Sequence, residues 1–386
     1  MKDSGKNILI IAGEPSGDLL GAPLISALKK LNENIEIYGI GGNLMINEGL
    51  KNIFHIDQLS IMGITEIIRK IPFMMKVFIR MKKEIAMRKP DIIVLIDYPG
   101  FNLRFAKIAK KKGFKVFYYV SPQIWAWRKK RIKSIAKYVD TMAVVFKFEE
   151  DIYKKEKINA EFVSHPALER IKINLSKEEF LSKYKIRHSA PVIGLLPGSR
   201  KQEVMKIFPI MIEAVDKIKK KLGNLQVVVG NHPSLEKSLY EYYIKDSTDI
   251  FLTGEDIYES IKYSDFLIIS SGTATIESAI LETPMLIVYR VSPITYYLGK
   301  YLVKLPYIGM VNILAGKMIV PELIQKRFNS ESVAETVIDF LNNPDKINNM
   351  KEELRKVKSS LGDGSASTRT AELILKEIEK NEKLYS

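Results

Sequence analysis

The sequence predicts an α/β protein of two Rossmann-like, doubly wound parallel-sheet domains facing a cleft. Three observations predict it. Short apolar bursts recur and end in Gly, Pro or Ser; each leads into a stretch with helical spacing of its apolar residues; and a charged, weakly patterned stretch at 170–191 divides the bursts into two series. Bursts of this kind read as strands buried on both faces, as in a parallel sheet covered by helices. In open sheets ligands bind beyond the carboxyl ends of the strands, so two such domains direct their loops at a shared substrate.

Taken in order, the burst at 8–12 leads through the turn 13–18 to a helix at 19–31, and 35–40 leads through Gly41-Gly42 to a helix near Leu44. A mixed apolar and basic stretch at 59–83 is interrupted at Pro72. The strand 92–96 ends in Asp97-Tyr98-Pro99-Gly100 before a helix at 103–112, and 116–120 and 141–145 continue the alternation. The second series comprises 192–196, 225–229, 250–252, 266–269 and 285–288. After Pro321 the pattern is helical, with Ser330 expected to cap a helix to about Asn342, a break at Gly362-Asp363-Gly364, and a last amphipathic helix from about Ser367. The expected organisation is a first domain at 1–170, a second at 185–350, and a helical tail at 351–386 packing on the first.

Composition narrows the chemistry. The 386 residues are 46% apolar and contain no cysteine, which excludes disulfides, thiolate metal sites and thiol nucleophiles. The four histidines, His55, His165, His188 and His232, form no ligand pair at helical spacing, and there is no Asp-x-Asp to hold a divalent ion. No metal and no cofactor is expected. A formal charge of +15 implies attraction to anionic partners. The apolar residues among the cations at 59–83 are aliphatic or Met, which fits a lipid surface better than nucleic acid, so no nucleic-acid partner is expected. The apolar stretch near the N-terminus is too short for a signal peptide, and no run approaches the roughly eighteen residues of a spanning helix, so the expected place is cytoplasmic or on a membrane face.

Several residues stand where chemistry is done. Asp97 ends a buried strand, where a general base for a substrate hydroxyl belongs; it also fits a helix cap or an Asx turn. Gly198-Ser199-Arg200 ends the first strand of the second series, where Arg200 suits a nucleoside diphosphate or else pairs with Glu203. Ser271-Gly272-Thr273 opens a helix carrying Glu277, a carboxylate suited to ribose hydroxyls or to offsetting the helix dipole. Glu14 ends the first strand on the side of Asp97, in a turn that Ser16 or Asp18 caps. Ser121, Trp125 and Trp127, followed by four cations, suit an amphipathic anionic ligand or anchor a helix start. At 59–83, Ile61, Met62, Ile64, Ile67 and Ile68 fit a surface-lying membrane element, or a core helix with a lysine rim.

The runs Ala12 to Asp18, Met62 to Ile64, Ile96 to Asn102, Val120 to Arg128, Leu196 to Arg200, Ser271 to Glu277 and Asn312 to Gly316 stand in register along nearly the whole chain. Together they resemble the lipid-A-disaccharide synthase family of inverting, metal-independent glycosyltransferases. The resemblance implies the two-Rossmann B-type glycosyltransferase fold and transfer from UDP-2,3-diacylglucosamine to 2,3-diacylglucosamine 1-phosphate (lipid X), forming a β-1,6 bond and releasing UDP. It implies that Asp97 is the base, that Arg200 holds the diphosphate, that Ser271, Gly272, Thr273 and Glu277 line the nucleotide, that Asn312 sits near the donor, and that the Met62 region touches an anionic membrane surface. The implied place is peripheral, on the cytoplasmic face of the inner membrane. Gly100 stands where some family members carry Asp, leaving Asp97 as that loop's only carboxylate, and Pro15 replaces a more familiar Ala. A homodimer exchanging C-terminal helices stays open. The nucleotide motifs alone also fit a UDP-N-acetylglucosamine 2-epimerase, whose soluble substrate would leave the 59–83 stretch without a role.

Overall fold

The computed structural model describes residues 5–59, 64–125, 131–244, 247–292, 296, 301 and 305–385, with 64–71 and 382–385 described as backbone only. The chain divides into two compact units, Met1–Glu169 with Leu361–Ser386, and Arg170–Ser360. The first holds β1 (Lys6–Ala12), β2 (Ile35–Gly41), β3 (Lys51–His55), β4 (Ile92–Ile96), β5 (Val116–Tyr119), β6 (Thr141–Val144) and β7 (Asn159–Phe162). They form one sheet in the order β3-β2-β1-β4-β5-β6-β7 with parallel pairing throughout. The second holds β8 (Val192–Leu196), β9 (Gln226–Val229), β10 (Ile250–Leu252), β11 (Phe266–Ser270), β12 (Met285–Tyr289) and β13 (Glu322–Ile324). Their order is β10-β9-β8-β11-β12-β13, again parallel.

Each sheet reverses its winding once, between β1 and β4 in the first unit and between β8 and β11 in the second. At such a switch point the two loops leave their strands in opposite directions and open a crevice at the carboxyl edge. Ala12 pairs with Ile96 at the first and Leu196 with Ile269 at the second, so the loops beginning at Gly13 and Asp97, and at Pro197 and Ser271, leave side by side. Ile8 to Ala12 and Ile92 to Ile96 are fully buried, which explains their unbroken aliphatic runs.

The edge strands β3, β7 and β13 go beyond the predicted elements, because Lys51–His55, Asn159–Phe162 and Glu322–Ile324 mix polar and apolar residues. β13 corrects the reading of everything after Pro321 as helical. Asn329, and not Ser330, caps the helix Ser330–Leu341, its side chain accepting from Ser332 N. Ser330 Oγ instead donates to Glu213 at 2.7 Å. Neither Ser16 nor Asp18 caps Pro15–Leu31: Glu14 holds the N-cap position and Pro15 the first helical position, where its fixed φ is already helical. Asp18 serves a neighbour, its buried carboxylate accepting from Gly42 N (2.8 Å), Leu44 N (3.1 Å) and Met45 N (3.0 Å) at the start of Asn43–Asn47.

The stretch at 59–83 is not broken at Pro72: one helix runs over Ile64–Arg88 with Pro72 inside it. Val77, Met81 and Ile85 form its buried stripe, whereas Met75, Ile79 and Met87 are exposed. In its second half, then, it is a core helix with a cationic rim that also shows apolar residues outside. The last helix, Ala366–Tyr385, packs on Pro15–Leu31 and buries Ala371, Ile374 and Ile378. Its start is held by Glu169, which accepts from Ser367 N at 2.8 Å and Ser367 Oγ at 2.6 Å. Among the described residues no helix is long and apolar enough to cross a membrane.

Candidate active site

At the β1/β4 switch point the chain turns sharply after β4: Asp97 (φ 44°) and Tyr98 (φ 46°) are both left-handed, a conformation costly for residues with a Cβ. Hydrogen bonds hold it there. Asp97 N donates to Tyr119 O at 3.0 Å, and the Asp97 carbonyl accepts from Tyr118 Oη at 2.5 Å and Asn102 Nδ2 at 2.8 Å. Asn102, wholly buried, also donates to Ile96 O at 3.0 Å. Gly13 is required by this turn, since a Cβ there would lie 2.1 Å from the Tyr98 ring. At Gly100 a Cβ would meet nothing within 4 Å.

The main chain of Asp97 is therefore fixed while its carboxyl does not cap the following helix, whose N-cap is Tyr98 with no side-chain cap bond. Burial, and then the charge of nearby Glu14, push that carboxyl up to about 6 against an opposing hydrogen bond from the Tyr98 backbone. A half-buried carboxylate more basic than usual yet ionised at neutral pH is what removal of a hydroxyl proton requires. Glu14 is exposed and acts on Asp97 as a like charge that raises its carboxyl.

Ser121, expected at the ligand, is buried beside Tyr153 and Glu149. Its Oγ lies 2.8 Å from Tyr153 Oη and 3.2 Å from Glu149 Oε1, and Trp125 Nε1 donates to the same Glu149 oxygen at 3.0 Å. Burial raises the Glu149 carboxyl to about 7 despite the donors from Trp125, Ser121 and Phe146. Glu149 had no sequence signal, since its stretch reads as a charged amphipathic helix. Trp127, Ile61 and Met62 lie outside the described residues, as do the side chains of Ile64, Ile67 and Ile68.

At the β8/β11 switch point Gly198 takes φ 117°, a conformation that glycine alone adopts readily. Ser199 and Arg200 are exposed, and Arg200 holds the N-cap position of Lys201–Leu222. Arg200 Nη1 lies 3.0 Å from Glu203 Oε1 with the arginine side chain 81% exposed, so the local pairing is present but solvated and weak. Ser271 Oγ donates to Ile308 O at 3.0 Å, while Gly272 and Thr273 are exposed.

Glu277, in the first turn of Ala274–Ile280, is paired with Arg170, whose Nη2 reaches Glu277 Oε1 at 2.5 Å and whose Nε donates to Tyr258 Oη at 3.1 Å. His232, beyond β9, feels the Glu277 charge; burial lowers its pKa against that charge, favouring the neutral ring. Neither Arg170 nor His232 was legible as a partner of Glu277, because 107 residues separate Arg170 from it and His232 carries no spacing pattern. Asn312, expected near the donor, is held within its own loop. Wholly buried, it donates to Val320 O (2.9 Å) and Glu322 Oε1 (2.8 Å) and accepts from Ile319 N (2.8 Å) and Val320 N (3.0 Å). Glu322 in turn binds Ile308 N and Gly309 N, fixing the loop on which Ser271 leans.

Known proteins match the chain over nearly its whole length. The family model described as lipid-A-disaccharide synthetase matches residues 8–378. A lipid-A-disaccharide synthase of Syntrophus aciditrophicus (strain SB) is 38% identical, over 98% of this chain and 100% of its own. Among solved structures, a UDP-GlcNAc 2-epimerase from Neisseria meningitidis bound to UDP-GlcNAc superposes with a TM-score of 0.66 at 13% identity, covering 96% of this chain and 100% of that one. The glycotransferase of kitacinnamycin gives 0.64 at 11%, covering 97% of this chain and 99% of that one. At these identities the structures share the fold and no more.

Proposed function

The chain belongs to the lipid-A-disaccharide synthetase family, and on that premise we propose that it transfers 2,3-diacylglucosamine from its UDP derivative to O6 of 2,3-diacylglucosamine 1-phosphate, with inversion at the anomeric carbon. Asp97 takes the proton of the acceptor 6-hydroxyl as that oxygen bonds to the anomeric carbon. The bond to UDP breaks, and its electron pair leaves on the diphosphate. Arg200 meets that charge with a permanently protonated, two-pronged donor, a stabilisation that grows as the bond breaks. Gly198, Ser199, Gly272 and Thr273 line the nucleotide, Ser271 shapes their loop, and Glu277 accepts from the ribose.

The catalytic assignment rests on Asp97: a carboxyl on a rigid turn at a switch point, raised to about 6 by burial and Glu14. Glu14 contributes by keeping Asp97 basic. The exposed Met75 and Ile79 among cations support peripheral contact with an anionic membrane surface.

The test is to supply both lipids to the purified full-length chain in detergent micelles with a chelator and to analyse the product. A β-1,6-linked disaccharide 1-phosphate, formed with one UDP per linkage and absent with an acceptor lacking its 6-hydroxyl, is expected. Conversion of UDP-N-acetylglucosamine to its 2-epimer without either lipid would instead select the epimerase reading.

A further inference from the structure

Arg170 is the first residue of the second unit and lies far in sequence from every nucleotide motif. Its guanidinium nevertheless ends on the one carboxylate of the β11 loop and helix, with Nη2 2.5 Å from Glu277 Oε1. A second bond, Nε to Tyr258 Oη at 3.1 Å, fixes the plane of the guanidinium. Both partners of the pair are mostly shielded, with side chains 31% and 12% exposed. In such surroundings an ion pair has a defined geometry, unlike the solvated Arg200–Glu203 pair. A glutamate side chain otherwise samples several rotamers, and a ligand that bound it would have to freeze them.

We propose that Arg170 is a specificity-determining positioning residue of the nucleotide site, holding Glu277 in the orientation that accepts the ribose hydroxyls of a uridine nucleotide. It rests on the ribose reading of Glu277. The pair is made through Oε1, and a carboxylate accepts more than one hydrogen bond at each oxygen, so Glu277 keeps acceptor capacity while paired. Arg170 thus acts without touching the nucleotide. Lysine in its place would keep the charge and lose the fork that binds Glu277 and Tyr258 together.

The experiment compares binding of UDP, 2′-deoxy-UDP and 3′-deoxy-UDP to the full-length chain by calorimetry, for wild type, Arg170→Met, Arg170→Lys, Tyr258→Phe and Glu277→Gln. Wild type is expected to prefer UDP over at least one deoxy nucleotide by about tenfold or more, as for a hydrogen bond to a charged acceptor. In Arg170→Met that preference should shrink to within about threefold, and Arg170→Lys should recover only part of it. A loss of affinity shared equally by all three nucleotides, or an unchanged preference, overturns the proposal. If Arg170→Met does not fold, Tyr258→Phe decides: a narrowed preference supports the positioning role and a wild-type preference overturns it. Should wild type show no preference, or Glu277→Gln keep the full one, the ribose reading of Glu277 falls, and this inference with it.

Discussion

Asp97 is held in a conformation that its own side chain disfavours, and its ionised form is one that burial disfavours; both costs fall on the residue assigned to take the proton. The sign of the linkage follows. A carboxyl raised from 3.8 to about 6 on folding costs nothing below about 3.8, is penalised increasingly as the pH rises from there, and carries the full penalty above about 6. Asp97→Asn is therefore expected to stabilise the fold at pH 8, by on the order of 1–3 kcal/mol, while removing the base. Matched thermal melts should show the gain in full at pH 8 and only about half of it at pH 5. Turnover should fall about tenfold per pH unit below about 6, because only the carboxylate accepts a proton. Glu14→Gln removes a like charge, so the acidic limb of its pH profile should move to lower pH; a shift to higher pH would contradict the coupling. Gly13→Ala drives a Cβ into the Tyr98 ring and should lower turnover more than it lowers UDP affinity.

The strands β1, β2, β4, β5, β6, β8, β9, β10, β11 and β12 could be read from the sequence because each carries a short apolar run between turn or helix signals. β3, β7 and β13 could not, since an edge strand needs only partial burial and tolerates the Lys, Asn and Glu found there. Switch points were implied by the alternation but became definite only with strand order, and strand order is what sets the Gly13 loop beside the Asp97 loop. Asp97, Arg200 and Glu277 were legible because each ends or follows a buried strand. Arg170, Glu149 and His232 were not, because their partners are distant in sequence or their own stretches look like ordinary surface helix or loop. Asp18 makes the same point: it looks like a cap of its own helix and instead accepts three backbone donors of the next. Asp18→Ala leaves those donors buried without a partner and should cost about 1–3 kcal/mol in urea unfolding. A midpoint unchanged from wild type would mean that water replaces the carboxylate.

At the scale of the whole molecule, the chain completes its first unit only after building its second, because Leu361–Ser386 returns to Met1–Glu169. Glu169 and Arg170, adjacent in sequence, are tied into different units, one to Ser367 and the other to Glu277. The Ile64–Arg88 helix is doubly committed, with Val77, Met81 and Ile85 in the core while Met75 and Ile79 stay exposed among Lys76, Lys82 and Lys83. Replacing Met75 and Ile79 together by Ser should weaken co-sedimentation with anionic vesicles several-fold and leave the melting temperature close to wild type. Unchanged sedimentation would remove this helix from the membrane contact. The most direct test of the account is UDP release with both lipids in micelles, measured beside UDP affinity for wild type and Asp97→Ala. Wild type should release UDP only when both lipids are present, and the variant should lose at least about 10²-fold in turnover while binding UDP as before. A variant that turns over at the wild-type rate would contradict Asp97 as the base.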